Sequence, residues 1–216
     1  MSAQSSPSIH VLAGVNGAGK SSIGGQFARG GGSQYFNPDE AAKKIMTIHP
    51  AIRFSEANAQ AWTIGKQLLE RSIKEQTSFA FETTLGGNTI TRLLEQAARD
   101  GHHLHIWFAG LDSPERHIQR VQSRVALGGH DIPQEKIRER WTRSRENLIR
   151  LMPLIHHLRV YDNSREADPA RGKRPVPELL LEMRQGKITA PADLSNAPDW
   201  AKPLIVIAIK LQRARK

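Results

Sequence analysis

No stretch of this chain narrows the possible folds as much as Ile9-His10-Val11-Leu12-Ala13-Gly14-Val15-Asn16-Gly17-Ala18-Gly19-Lys20-Ser21-Ser22. A short apolar run suited to a buried strand leads into G-x-x-x-x-G-K-[ST], and helical spacing follows. Gly14, Gly17 and Gly19 carry no Cβ, so the backbone can curl its N–H groups around an anion. The N-terminal dipole of the following helix adds to that field. The pattern predicts a phosphate-binding loop in which Gly14, Asn16, Gly17, Ala18, Gly19, Lys20, Ser21 and Ser22 surround a nucleoside triphosphate. Lys20 would reach the β and γ phosphates and the Ser21 hydroxyl would hold Mg²⁺, making ATP and Mg²⁺ the expected cofactors.

The rest of the chain alternates strand and helix signals. Ile23 and Phe27 share a face of the loop's helix, which Gly30-Gly31-Gly32 ends. Tyr35-Phe36 suits a short strand stopped at Asn37-Pro38-Asp39. A helix begins near Pro38, with Asn37 as its cap and Asp39–Glu40 in its first turn. Phe54, Ala57, Ala61, Ile64, Leu68, Leu69 and Ile73 carry helical spacing on to about Gln76. Strands are expected over Ser78–Leu85, His103–Leu111 and Arg159–Ser164, and a last one over Pro203–Ile209. Helices are expected around Ile90–Ala98, ended near Gly101, and around Pro177–Gln185. Alternation of this kind predicts an α/β fold of three layers, with a mainly parallel five-stranded sheet. Ligands of such sheets sit beyond the carboxyl ends of the strands. Asn16, Lys20, Asp39, Glu82 to Thr84, Asp112, Asp162 and Asn163 all fall there.

Between the fourth and fifth strands, residues 113–152 form an insertion of two helices joined by Gly128-Gly129-His130-Asp131-Ile132-Pro133. In the first, Ile118, Val121 and Val125 form the buried stripe, with Arg116, Arg120 and Arg124 opposite. In the second, Ile137, Trp141, Ser144, Leu148 and Leu151 face inward and Arg140 borders them. A hairpin built this way suits a closing lid, because the guanidinium fork binds phosphate bidentately. Arg120, Arg124 and Arg140 are therefore candidates to stabilise charge on a transferring phosphoryl group. The same arginines also suit a solvated face making weak ion pairs.

Phosphoryl transfer also needs a carboxylate to orient the acceptor hydroxyl, and Asp39 is the candidate. Glu82, closing an apolar strand, would hold the acceptor or a Mg²⁺-bound water, or else a buried hydrogen bond. Thr83 and Thr84 would touch the substrate or merely favour the strand. His103 and His105 alternate with apolar residues, which places them on one sheet face rather than around a metal.

At 216 residues the expected organisation is one domain, with 113–152 as its lid and 200–216 as a basic C-terminal segment. The chain has no cysteine, which excludes disulfides and thiolate metal sites. It has no apolar run long enough to cross a bilayer, and its polar first residues do not resemble a signal peptide. A cytoplasmic location is expected. The net charge of +10 suits polyanionic partners. With the basic end Lys210 to Lys216, it keeps a nucleic-acid-binding ATPase or polynucleotide kinase as the alternative, although aromatics for base stacking are few. A nucleotide-responsive binding module is a third possibility.

Four segments together carry a family resemblance: Gly14 to Ser21, Asn37-Pro38-Asp39, Phe81-Glu82-Thr83-Thr84-Leu85 and Gly128 to Pro133. Over roughly residues 8–165 the chain resembles the zeta-toxin family of P-loop kinases. The resemblance implies a nucleoside-kinase-like (adenylate-kinase-like) sheet with the phosphate-loop strand in the middle. It also implies ATP-dependent phosphorylation of a sugar hydroxyl on UDP-N-acetylglucosamine or a related nucleotide sugar. Asp39 would be the general base, Glu82 and Thr84 would bind substrate, the lid arginines would grip phosphates, and an antitoxin protein would be a possible partner; Asn163, from its place at the end of the fifth strand, is a further candidate for nucleotide binding. Two departures bear on the acceptor. No arginine follows Asp39-Glu40-Ala41-Ala42, and His130 stands where the family tends to place a second lid arginine.

Overall fold

A computed structural model describes residues 6–24, 35–165 and 176–215. Phe27 and Gly30-Gly31-Gly32 lie outside the described residues. Five parallel strands are β1 (Ser8–Ala13), β2 (Tyr35–Phe36), β3 (Phe79–Thr83) and β4 (His103–Gly110), close to the expected positions, and β5 (Ile155–Asp162), which begins four residues before the expected Arg159. The sheet has seven strands rather than five, in the order β2-β3-β1-β4-β5-β6-β7.

The two additional strands correct one expectation. Residues expected as a helix around 177–185 form β6 (Glu178–Arg184), antiparallel to β5 and to β7 (Lys187–Ala190). The physical cause is a two-residue turn, since Gln185 and Gly186 both hold positive φ (48° and 76°), the geometry that joins twisted antiparallel strands. Period-two burial fits as well: Leu181 and Met183 enter the core while Glu182 between them takes Arg159 and His157. A second correction concerns Pro203–Ile209, which is the start of a helix, α7 (Lys202–Arg213). A short continuous apolar run does not distinguish a strand from a buried helix. Here Leu204, Ile205 and Ala208 are buried at helical spacing.

The remaining helices are α1 (described over 20–24), α2 (Pro38–Ile48), α3 (Phe54–Glu75), α4 (Asn88–Arg99), α5 (Pro114–Ala126) and α6 (Gln134–Leu151). The helical signal between 38 and 76 is two helices, because Pro50 cannot continue α2 and biases the residue before it away from the helix. Leu69 and Ile73 of α3, Leu94 and Ala97 of α4, Leu148 and Leu151 of α6, and Leu204 of α7 pack on one sheet face. They meet Val11, Phe81, Ile106, Phe108 and Val160 there. On the other face His10 stacks on His105 at 4.6 Å, with Trp107 and His157 close by. No helix among the described residues is long and apolar enough to cross a membrane.

Candidate active site

Parallel pairing sets the site. The register places Leu12 opposite Glu82 and Ala13 opposite Thr83, so β1 and β3 release their chains side by side. Gly14 N–H donates to the Thr83 carbonyl at 3.2 Å as the loop leaves the sheet. Gly14 has φ 144°, and a Cβ there would stand 2.4 Å from the Ala109 carbonyl oxygen. A Cβ on Gly19 would stand 2.1 Å from Asn163 Nδ2, which donates to the Ala18 carbonyl at 2.9 Å. The loop is thus folded tightly against β4 and the end of β5, as a phosphate cradle requires.

Lys20 Nζ donates to the Gly14 carbonyl at 2.8 Å and lies 3.4 Å from Glu82 Oε1. Both side chains are mostly shielded, 10% and 16% exposed, so their attraction is screened less than that of a surface pair. Glu82 Oε2 accepts from Tyr35 Oη at 3.0 Å and from Asn37 Nδ2 at 3.2 Å. Burial, then the Glu82 charge, pushes the Tyr35 hydroxyl above its usual range, so it remains a donor. Asn37 Oδ1 caps α2 by accepting from Asp39 N–H at 2.9 Å and Glu40 N–H at 3.3 Å.

The α5–α6 hairpin, the expected lid, meets this floor at Asn16. Ser113 caps α5 and Pro114 opens its first turn. Arg140 of α6 donates from Nη1 to Asn16 Oδ1 at 2.8 Å, and its stem packs where a Cβ on Gly86 would be. Burial lowers the Arg140 guanidinium from the ordinary arginine range, and Glu139 and Asp39 oppose that shift. His117 of α5 is buried, with Nδ1 2.9 Å from the Asn16 carbonyl. Burial lowers its pKa to about 4, against the pull of that hydrogen bond, with Lys20 and Arg120 adding to the drop. The ring is therefore neutral near pH 7 and donates Nδ1–H to Asn16. The His130 ring lies against the Phe54 ring, tilted by 33°, with centroids 4.1 Å apart. Burial lowers its pKa too; Asp39 opposes the shift, and Arg124 and Lys43 reinforce it.

One cleft of about 770 Å³ gathers Asn16, Lys20, Asp39, Glu82, Thr83, Thr84, His130 and Arg140. Asp131, Ile132 and Pro133 of the interhelical segment line it too, while the remaining candidate site residues do not. Gly14, Gly17, Ala18 and Gly19 form the loop, and Ser21 and Ser22 are exposed on α1. Asn163 lies beneath the loop, and its carbonyl accepts from Arg120 Nη2 at 2.7 Å. Arg124 Nη2 lies 3.4 Å from the His130 carbonyl. These two arginines brace the lid and the loop in this conformation instead of facing the cleft.

Sequence reasoning missed the wall opposite the loop. Phe54, Asn58, Trp62 and Lys66 of α3 line the cleft as a stripe of spacing four. That stripe mixes aromatic, polar and charged residues, so a search for apolar periodicity passes over it. Tyr35 and His117 were missed as well. Their partners are distant in sequence and give no local signal.

The profile of the zeta-toxin family matches residues 1–169. The chain belongs to the zeta-toxin family. An uncharacterised protein of Haemophilus influenzae is 30% identical over 128 residues, which is 59% of this chain and 88% of that one. Among solved structures, the AvrRxo1-ORF1:-ORF2 complex with ATP superposes with a TM-score of 0.62 at 13% identity, over 94% of this chain and 63% of that one. The chain thus spans less than two thirds of the length of the AvrRxo1 chain. The Streptococcus pneumoniae PezAT toxin–antitoxin structure gives a TM-score of 0.57 at 13% identity, over 98% of this chain and 88% of that one. At these identities the superpositions describe the fold, which for this zeta-toxin family member is α/β and P-loop-kinase-like.

Proposed function

We propose that this zeta-toxin family member is an ATP- and Mg²⁺-dependent kinase of a small molecule. It would transfer the γ-phosphoryl group to a sugar hydroxyl of UDP-N-acetylglucosamine or a related nucleotide sugar in the cytoplasm, with an antitoxin protein as partner. The observation that carries this proposal is the convergence of Lys20, Asp39 and Arg140 on one cleft beside the phosphate loop. Family membership, the ATP of the AvrRxo1 complex and the toxin–antitoxin description of PezAT support it.

The residues present fit the nucleotide. A glycine cradle that any Cβ would crowd, and a lysine resting on that cradle's own carbonyl, suit a triphosphate. The loop amides and Lys20 would hold the β and γ phosphates, and Ser21 would supply the hydroxyl for Mg²⁺. Mg²⁺ would neutralise charge on the phosphate oxygens. Asp39 accepts the proton of the acceptor hydroxyl as its oxygen bonds to phosphorus and the bond to the ADP oxygen breaks. Arg140 turns from Asn16 to the charge developing on the equatorial oxygens. Glu82 and Thr84 hold the acceptor. Phe54, His130 and Trp62 offer flat faces on which a nucleotide base could stack. His130, in place of a second lid arginine, leaves that end of the cleft less positively charged and so bears on which acceptor fits.

The test is incubation of purified protein with ATP, Mg²⁺ and a panel of sugar nucleotides, with products resolved by mass spectrometry. A product heavier by one phosphoryl group, formed from one panel member, is expected. ATP binding with no phosphorylated sugar nucleotide would reject this acceptor class.

A further inference from the structure

Asn37 stands between two of the acidic residues that line the cleft, Asp39 and Glu82. Its Oδ1 accepts the N–H groups of Asp39 and Glu40. Its Nδ2 donates to Glu82 Oε2 at 3.2 Å. The amide orientation follows from its partners, since backbone N–H groups call for the carbonyl end and a carboxylate for the NH₂ end. Capping α2 needs only an acceptor, and serine or aspartate would serve there as well as asparagine. The second hydrogen bond is the one that needs an amide.

That bond acts on a carboxylate with a further task. Glu82 Oε2 also takes the Tyr35 hydroxyl, while Oε1 faces Lys20 at 3.4 Å. Lys20 must leave Glu82, wholly or in part, to meet a phosphate. Each donor on Oε2 absorbs part of the charge that would otherwise draw the lysine.

Resting on the kinase proposal above, we infer that Asn37 is a positioning residue. By holding Oε2 of Glu82, with help from Tyr35, it limits how firmly Glu82 withholds Lys20 from the nucleotide phosphates. The same amide ties the start of α2, where Asp39 sits, to the end of β3. Removing the donor while keeping the cap leaves α2 in place and lets more of the Glu82 charge face Lys20. Nucleotide affinity then falls, and it falls only while Glu82 is charged.

The experiment is calorimetric titration of the full chain with Mg·ADP, for wild type, Asn37→Ser, Tyr35→Phe and Asn37→Asp, then for the first two combined with Glu82→Gln. Asn37→Ser and Tyr35→Phe are each expected to weaken binding about 3- to 10-fold, less than the full value of one hydrogen bond to a charged group because the lost bond acts on the phosphates only through Lys20. Asn37→Asp, which sets a second carboxylate against Glu82, should weaken it further. In the Glu82→Gln background, Asn37→Ser and Tyr35→Phe should change affinity less than about twofold, since the coupling runs through the charge. Equal losses in both backgrounds, or no loss in either, would overturn the inference. Thermal melting of the same samples reports whether the cap survives in Asn37→Ser. Should that variant fail to fold, Tyr35→Phe carries the same comparison without touching the cap. A wild-type chain that binds no ADP would instead remove the kinase proposal, and this inference with it.

Discussion

Arg140 donates from Nη1 to Asn16 Oδ1 across 2.8 Å, joining the second lid helix to the phosphate loop. The carbonyl of the same Asn16 faces His117 on the first lid helix at 2.9 Å. One loop residue thus meets both arms of the lid, so loop and lid geometry are set together. Occupancy of the loop by a triphosphate would act on the lid through this residue.

The first prediction concerns that bond. Arg140→Lys keeps the charge but loses the planar fork that meets two phosphate oxygens bidentately once it has turned from Asn16. Turnover of ATP with the acceptor should fall about 10- to 100-fold, within the range for lost transition-state donors. ADP affinity, measured by titration, should stay within a few-fold of wild type.

Asp39 and Lys20 should separate chemistry from binding. Asp39→Asn should bind ADP normally and lose about 10²- to 10⁴-fold in transfer rate, the usual span for a general base. Lys20→Met should lose about 10- to 100-fold in ADP affinity, reflecting charge-assisted bonds to phosphate. Single-turnover kinetics and calorimetry read the two effects independently.

Gly14→Ala should destabilise the fold rather than simply weaken binding. The added Cβ would meet the Ala109 carbonyl at 2.4 Å in a backbone at φ 144° that alanine rarely adopts. Relief requires β1 and β4 to shift apart. A loss of about 2 kcal/mol or more is expected in urea unfolding.

His117 makes stability depend on pH. Its pKa is about 4 in the folded chain against 6.5 as a free side chain, because burial disfavours the charged ring. Between those values the unfolded chain binds a proton that the folded chain does not. Its contribution is therefore fully present above pH 6.5 and is lost as pH falls toward 4, by up to about 1.4 kcal/mol per pH unit. His117→Asn keeps an N–H for the Asn16 carbonyl and removes the titration. Unfolding midpoints of that variant between pH 4 and 7 should be flatter than those of wild type, whose other shifted histidines, His105 among them, remain in both proteins.

Much of the fold was legible because its signals are local. Glycines at fixed spacing, a serine cap followed by proline, and strands bounded by turn residues each report on their own few bonds. The errors arose where local patterns are degenerate. The apolar run at 203–209 suits either strand or helix, and it is helical because Leu204, Ile205 and Ala208 have a core to enter. The segment at 178–184 is a strand held on both edges, by β5 on one side and by β7 on the other, which the turn at Gln185-Gly186 folds back onto it. Of the site, the loop and Asp39 with its cap lie within short segments. Glu82 was visible only as a polar residue ending an apolar strand, while its partners Tyr35, Asn37 and Lys20 come from two other segments. Arg140 borders the inward face of its helix whereas Arg120 and Arg124 lie opposite theirs, and of the three Arg140 lines the cleft.

By itself, the order of residues determined that a phosphate-binding loop stands between a strand and a helix, and that carboxylates end the neighbouring strands. Both follow from backbone freedom and hydrogen bonding within a few positions. Which arginine faces the cleft, which side chains hold Glu82, and how both lid helices meet Asn16 were decided only by the tertiary structure. Those relations join residues tens of positions apart, and their geometry exists only once sheet register and core packing have placed the elements.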